Sequence, residues 1–261
     1  MRASHPEPAV AVTLVSALLA IGAGRSAWGV VATAATVLAS QLAIGWVNDA
    51  IDAPRDALVG RRDKPVALGQ LSRRTAAILG ALAAVAVVPL GFLSGVPAGL
   101  VATLAVTAAL LYDWPLKATV LSVVPYTVAF ACLPSFVLLG AGKTPPLWIV
   151  AAGGLLGAGA HFVNTLPDLA DDARTGVRGL PHLLGPRGSL VAAATLLLAA
   201  TAMLTFGPPG PPKWPGWTAL ALAFLVLAIS SLFVRRDAAS KMPFRAVMVV
   251  AVLDVLLLLV T

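Results

Sequence analysis

The chain has 261 residues, of which 59% are hydrophobic and only 11% charged. An ordinary soluble domain carries roughly a quarter charged residues, so composition excludes one and leaves a polytopic membrane protein forming a single domain, 1–261. The net charge of +7 is read as basic residues retained beside anionic membrane lipid, with no nucleic-acid partner, and the single Cys132 excludes a disulfide framework or a thiolate metal site.

Spans follow from the gaps between charges, since one bilayer crossing takes about 20 apolar residues. The first two lie at 9–23 and 27–47, joined by a short Gly/Arg/Ser turn. The first has no small-residue cleavage site and is followed by further spans, so it is expected to persist as a helix rather than be removed as a signal peptide. A long polar stretch, 51–74, comes next; Pro65 and Gly69 punctuate it, and Ser72 is placed to cap the following helix. The 38 uncharged residues between Arg74 and Asp113 hold two spans, closed by the brief loop YDWPLK. One span fills the gap from Lys117 to Lys143 and another that from Lys143 to Asp168. After a second long polar stretch, 169–188, spans lie between Arg187 and Lys213 and between Lys213 and Arg235, with the proline-barred turn PGPPKWPGW between them. The ninth is 244–260. The expected fold class is all-α, with nine transmembrane helices.

Placing the even-numbered loops inside puts all but three (Arg25, Lys143 and Lys213) of the 18 Lys and Arg residues on the cytoplasmic side. The N-terminus is then inside, the C-terminus outside, and the host is the cell's inner or plasma membrane. All six tryptophans fall near span ends, as an aromatic belt requires.

The most specific feature is a repeat. Asn48, Asp52 and Asp56 of NDAIDAPRD are spaced by four, and Asn164, Asp168 and Asp172 of NTLPDLADD repeat the spacing 116 residues later. The same offset pairs Gly60 with Gly176, Arg62 with Arg178, Pro65 with Pro181 and Gly69 with Gly185. A helix turns 100° per residue, so each set is expected to form one acidic helical stripe. The expected architecture is two quasi-equivalent halves facing one another, with both motifs at the cytoplasmic ends of spans. Asp49 has no acidic mate, since position 165 is Thr, and Asp171 stands in register with Arg55.

Carboxylates at a membrane boundary are costly unless paired or metal-bound. Asn48, Asp49, Asp52 and Asp56, with Asp168, Asp171 and Asp172, offer hard oxygen ligands without His or Cys, which points to Mg²⁺ or Ca²⁺ rather than zinc. Magnesium favours one or two carboxylates completed by phosphate oxygens. Arg62, Lys64, Lys117, Arg174 and Arg178 are suited to that anion. The combination reads as a diphosphate held by Mg²⁺, with Asp52, Asp56, Asp168 and Asp172 as its catalytic centre.

Four segments together, NDAIDAPRD, RRDKPVALGQLS, YDWPLK and NTLPDLADDARTGVRGLP, resemble the UbiA superfamily of intramembrane prenyltransferases. That pattern is NDxxDxxxD, then R-x-K/R-P-x-x-x-G-x-x-S, then Y-x-x-x-x-K, then DxxxD, and the resemblance runs over essentially the whole chain. It implies an all-helical fold around a central cavity open to the bilayer, where Mg²⁺ bridges both motifs to a prenyl diphosphate. By motif position it implies Asn48, Asp49, Asp52 and Asp56 as the first metal set and Asp168 and Asp172 as the second. It places Arg62, Lys64 and Lys117 in diphosphate binding and Tyr112 in a loop covering the site. Thr165 departs from the pattern, since many members carry Asp there.

Other residues take plainer readings. The glycines of 153–159 lie mid-span with no preceding strand, so they are expected in helix packing rather than in a phosphate loop. His161 is expected in the core, His5 and His182 at the interface, and Asp254 in a structural hydrogen bond. Arg73, Arg74, Arg235 and Arg236 read as a solvated rim. The leading functional expectation is Mg²⁺-dependent transfer of a prenyl group to a lipid-soluble or aromatic acceptor, in contact with membrane lipid. The alternatives are a membrane terpene cyclase that ionises the same diphosphate without an acceptor, and a cation or lipid transporter. The transporter is disfavoured because the acidic groups lie at a membrane face rather than at the midplane.

Overall fold

A computed structural model describes residues 6–61, 64–236, 245–246, 249–250, 252–254 and 256–257. Among the described residues up to 236, the α-helices run in order: α1 (Pro6–Gly22), α2 (Ala27–Leu58), α3 (Arg73–Phe92), α4 (Val96–Asp113), α5 (Val123–Gly140), α6 (Leu147–Thr165), α7 (Leu169–Arg174), α8 (Leu180–Phe206) and α9 (Trp214–Arg236). Short 3-10 turns precede α5 and separate α6 from α7, and no strand occurs among the described residues. The all-helical expectation therefore holds.

Among the described residues, six stretches are long and apolar enough to cross a membrane, namely Ala27–Leu58, Arg73–Phe92, Val96–Asp113, Val120–Gly140, Leu147–Arg174 and Leu180–Phe206. Two apolar helices, Glu7–Gly22 and Trp214–Ile229, are shorter. The expected span 244–260 falls largely outside the described residues, as do His5 and the side chains of Arg235 and Arg236.

The chain divides into two compact units, one of Met1–Pro115 with Phe136–Lys143, the other of Leu116–Ser135 with Thr144–Thr261. In the first, α2 pairs with α3, and α1 and α4 join them. Ser26 and Ser72 start α2 and α3, their hydroxyls accepting from the Gly29 and Thr75 amides, as anticipated for Ser72. The outer face of α3 carries Ile78, Leu82 and Val85, all exposed and spaced by four and three. Such a stripe is stable against hydrocarbon rather than water.

In the second unit α6 pairs with α8, and α9 packs on α8. Helix α6 comes close enough to α5 that only glycine fits: a Cβ at Gly153 would lie 2.6 Å from the Phe130 carbonyl oxygen. This confirms the helix-packing reading of 153–159. His161 is buried in the same layer, as expected of a core histidine.

Candidate metal and diphosphate motifs

The first motif rides the last turns of α2, which runs eleven residues past the expected span end at Val47. It crosses Pro54, which has no N–H and cannot serve the Ala50 carbonyl one turn back. That carbonyl is taken instead by Arg73, whose Nε donates to it at 2.8 Å from the start of α3. Arg73 thus has a specific partner and is not merely a solvated rim charge.

Asp49, Asp52 and Asp56 are all buried. Asn48 donates through Nδ2 to Asp52 (3.1 Å) and to Asp113 at the end of α4 (3.2 Å). Arg55 binds Asp52 at 2.9 Å. Lys64 reaches back from the following loop to Asp49 at 2.7 Å, in a pair only 8% and 1% exposed. Oδ2 of Asp56 is buried and accepts no hydrogen bond. Such an atom calls for a cation, since a buried acceptor left unmet costs about 1–3 kcal/mol, and more when charged. The donor set is hard oxygen throughout, so the motif fits Mg²⁺.

The second motif is built differently. Helix α6 ends at Thr165; Leu166–Asp168 form a 3-10 turn containing Pro167, and Asp171 and Asp172 sit on the six-residue α7. The expectation of one continuous helical stripe therefore holds for the first motif and fails for the second. Pro167 is the physical reason, since it bars the next helical hydrogen bond and the Leu166 amide closes on Val163 instead. Asp168, Asp171 and Asp172 are half-buried. Asn164 is exposed and donates to the Tyr126 hydroxyl at 2.9 Å. Asp172 lies 4.0 Å from His182, and Arg174 lies 3.6 Å from Asp171 on an open surface.

Both motifs nevertheless end alike. Gly60 and Gly176 take the left-handed conformation (φ 70° and 84°). The next amides, of Arg61 and Val177, return to the Asp56 and Asp172 carbonyls at 2.9 Å each. This is the Schellman cap. The repeat extends to Gly69 and Gly185, with φ of 70° and 68°.

Of the basic candidates, Lys64 is committed to Asp49, Arg174 and Arg178 are exposed, and Arg62 lies outside the described residues. Tyr112 lies in the last turn of α4, one residue before its end, and is half-buried. Lys117 lies on a 3-10 turn whose carbonyl comes so close to Gly179 that a Cβ there would lie 2.5 Å away. Ser122 ties this turn down: its Oγ accepts from the Leu180 amide and shares a hydrogen bond with His161 Nε2, both at 3.0 Å. The loop carrying Lys117 is thus pinned to the start of α8, beside the second motif.

Sequence reasoning missed Asp113 and Ser122. Asp113 could have been found as an acidic residue ending a long uncharged run; a buried serine gives no such signal. Among the described residues no three His, Cys, Asp or Glu side chains gather as a metal cage. A magnesium ion completed by phosphate oxygens needs none.

Fold and site together define an all-helical, membrane-spanning protein with two register-matched acidic helix termini. The family model of the UbiA prenyltransferase family matches residues 9–252. The chain belongs to that family and is an enzyme of the prenyltransferase class. It is 31% identical over 192 residues to digeranylgeranylglyceryl phosphate synthase of Methanopyrus kandleri, covering 70% of this chain and 65% of that one. With the synthase of the same name from Methanothermobacter thermautotrophicus the figures are 30% identity over 204 residues, 76% and 70%. The matched stretch thus spans about two thirds of these relatives' length. Among solved structures, a UbiA homolog from Aeropyrum pernix superposes with a TM-score of 0.77 at 20% identity, covering 97% of this chain and 98% of that one. One from Archaeoglobus fulgidus bound to GPP and Mg²⁺ gives 0.76 at 16%, covering 98% and 96%. At these identities the likeness speaks to the fold.

Proposed function

We propose that this protein transfers a prenyl group from a prenyl diphosphate to a lipid-soluble acceptor within the membrane, with Mg²⁺ as cofactor. The observation that carries the reading is the first motif: a buried array of Asn48, Asp52 and Asp56 whose last oxygen has no protein donor. The A. fulgidus homologs bound to GPP or DMAPP with Mg²⁺ support it.

Asn48, Asp52 and Asp56, and separately Asp168 and Asp172, would hold the metal. Bound there, Mg²⁺ would neutralise charge on the diphosphate leaving group. Asp49 serves that array through Lys64, which it holds in place by their 2.7 Å ion pair. Lys117, Arg62, Arg174 and Arg178 supply cations to the diphosphate, and Tyr112 covers it. As the allylic C–O bond breaks, its electron pair leaves with the diphosphate, and the acceptor oxygen or carbon forms the new bond and loses a proton. Apolar helix faces exclude the water that would otherwise quench the cation.

The relatives' name denotes a glyceryl phosphate bearing two geranylgeranyl groups, so a glyceryl phosphate bearing one is the first lipid acceptor to test, ahead of aromatic acceptors. Membranes containing the protein are given geranyl, farnesyl and geranylgeranyl diphosphates with and without each acceptor. A prenylated acceptor is expected. A cyclic hydrocarbon or alcohol formed without acceptor would assign the cyclase reaction instead.

The proposed topology has nine spans, N-terminus inside and C-terminus outside, with both motifs facing the cytoplasm. Reporters fused after Thr261 and within 55–74 should read extracytoplasmic and cytoplasmic respectively; a cytoplasmic C-terminus would overturn the count.

A further inference from the structure

Arg25 lies in the turn before α2, at the end of that helix away from the acidic motif. Helix α2 has 32 residues, about 48 Å at 1.5 Å per residue. The guanidinium is therefore roughly a bilayer's thickness from Asp52.

Its surroundings are built. Nη1 donates to Thr33 at 2.5 Å and Nη2 to Ser94 at 2.8 Å, two hydroxyls from different helices or turns. Two glycines make room for it: a Cβ at Gly140 would lie 2.7 Å from Nη1, and one at Gly29 3.0 Å from Nε. No carboxylate is paired with it among the described residues, whereas Arg55, Lys64 and Arg174 each have one. Partial burial lowers its pKa from the ordinary arginine value, as expected for a cation that loses water without gaining a counter-charge. The guanidinium borders a cavity of about 350 Å³ that also includes Ser26, Trp28, Leu93 and Ser94. Trp28 and Leu93 are 66% and 56% exposed, an apolar rim of the kind found at the level of lipid headgroups.

A guanidinium has five N–H donors. Two hold it in place on neutral oxygens, and the rest remain for a ligand that brings negative charge. Tetrahedral oxyanions match that fork, and a serine hydroxyl on each side adds donors. We propose that Arg25, Ser26 and Ser94 form a binding site for a single phosphate group, borne by a membrane lipid headgroup or free in solution, at the end of α2 opposite the first acidic motif.

The test uses the purified full-length chain and does not depend on turnover. Native mass spectrometry compares retention of phosphatidylglycerol with that of diacylglycerol of the same acyl chains, and thermal unfolding is followed with inorganic phosphate. Selective retention of phosphatidylglycerol with no phosphate effect supports the lipid source. A phosphate-dependent rise in melting temperature that also displaces the lipid supports the free anion. Equal retention of both lipids together with no phosphate effect overturns the site and leaves Arg25 as a brace. Arg25→Met should weaken phosphatidylglycerol retention by at least about tenfold, the scale of a lost charge-assisted hydrogen bond, and Arg25→Lys by less. Gly140→Ala, which keeps the charge but displaces the guanidinium, should weaken retention as well, so the outcome does not rest on a variant that loses its brace.

Discussion

In the first acidic motif the aspartates ride an unbroken helix and are buried; in the second they straddle a helix break and are half-exposed. The register is shared, so the difference comes from what surrounds each copy. Both contain a proline, but Pro54 follows Asn48 by six residues and Pro167 follows Asn164 by three. In α2 the carbonyl stranded by Pro54 is capped by Arg73. The register mate of Arg73 is Ser189, whose hydroxyl turns instead to the Pro181 carbonyl. The second copy tightens into a 3-10 turn at Leu166–Asp168. The buried pair Asp49–Lys64 is likewise replaced as a unit, by Thr165 and Leu180, with the Thr165 hydroxyl donating to the His161 carbonyl. The missing acid at 165 therefore goes with a missing base at 180. Duplicated motifs can keep their acidic register while exchanging the contacts around it.

The sharpest way to break this comparison is to remove one aspartate from each copy. Asp52→Ala and Asp168→Ala should each lower prenyl transfer by at least about 10²–10³-fold, the cost of losing a transition-state charge stabiliser. Detergent-extracted yield is measured alongside to separate lost activity from lost protein. Substantial activity left in Asp168→Ala would make the looser copy a relic of the duplication. Chelation bears on both copies together: EDTA should abolish transfer and Mg²⁺ restore it, and turnover in metal-free buffer would refute the ligand assignment for both.

The supports come next in size. Lys64→Met leaves the Asp49 carboxylate buried without its cation, a change that typically costs about 3–5 kcal/mol. It should lower the melting temperature far more than Leu180→Met, its register mate. The double variant Asp49→Asn with Lys64→Met should recover much of the loss; no recovery would mean that Lys64 matters for something other than this pair. The shared terminus should respond equally in both copies. Gly60→Ala and Gly176→Ala each force a side chain into the left-handed region at about 1–2 kcal/mol, and unequal unfolding shifts would show that the two caps are not equivalent. Smallest is Arg73→Met, which strands the Ala50 carbonyl at the cost of about one hydrogen bond, ~0.5–1.5 kcal/mol. Solvent-exposed Arg74→Met serves as its control.

The helices were legible because a bilayer demands long uncharged runs, and the charges mark where these stop. The repeat was legible down to backbone conformation: Gly60 and Gly176, paired only by offset, share a positive φ and a cap. The rest depended on tertiary partners. The donor to the carbonyl stranded by Pro54 is Arg73, 23 residues away from Ala50 in the chain. Lys64, placed by motif position at the diphosphate, is also the buried partner of Asp49, which its position alone did not announce. Asp113 served only to mark a span end until Asn48 was seen to reach it.

The order of synthesis adds a consequence. Lys64, Arg73 and Asp113, which hold the first motif, all lie within 65 residues of Asn48. The hairpin of α2 and α3 can close as soon as α3 leaves the ribosome. At about 5–20 residues per second, some 3–10 s then separate Asp113 from the making of Asp168. During that interval a nascent chain already carries the carboxylate array at the end of α2, with Lys64 and Arg55 paired to it. The tighter construction of the first copy suits a motif that must wait, exposed to the insertion machinery, for the rest of the enzyme.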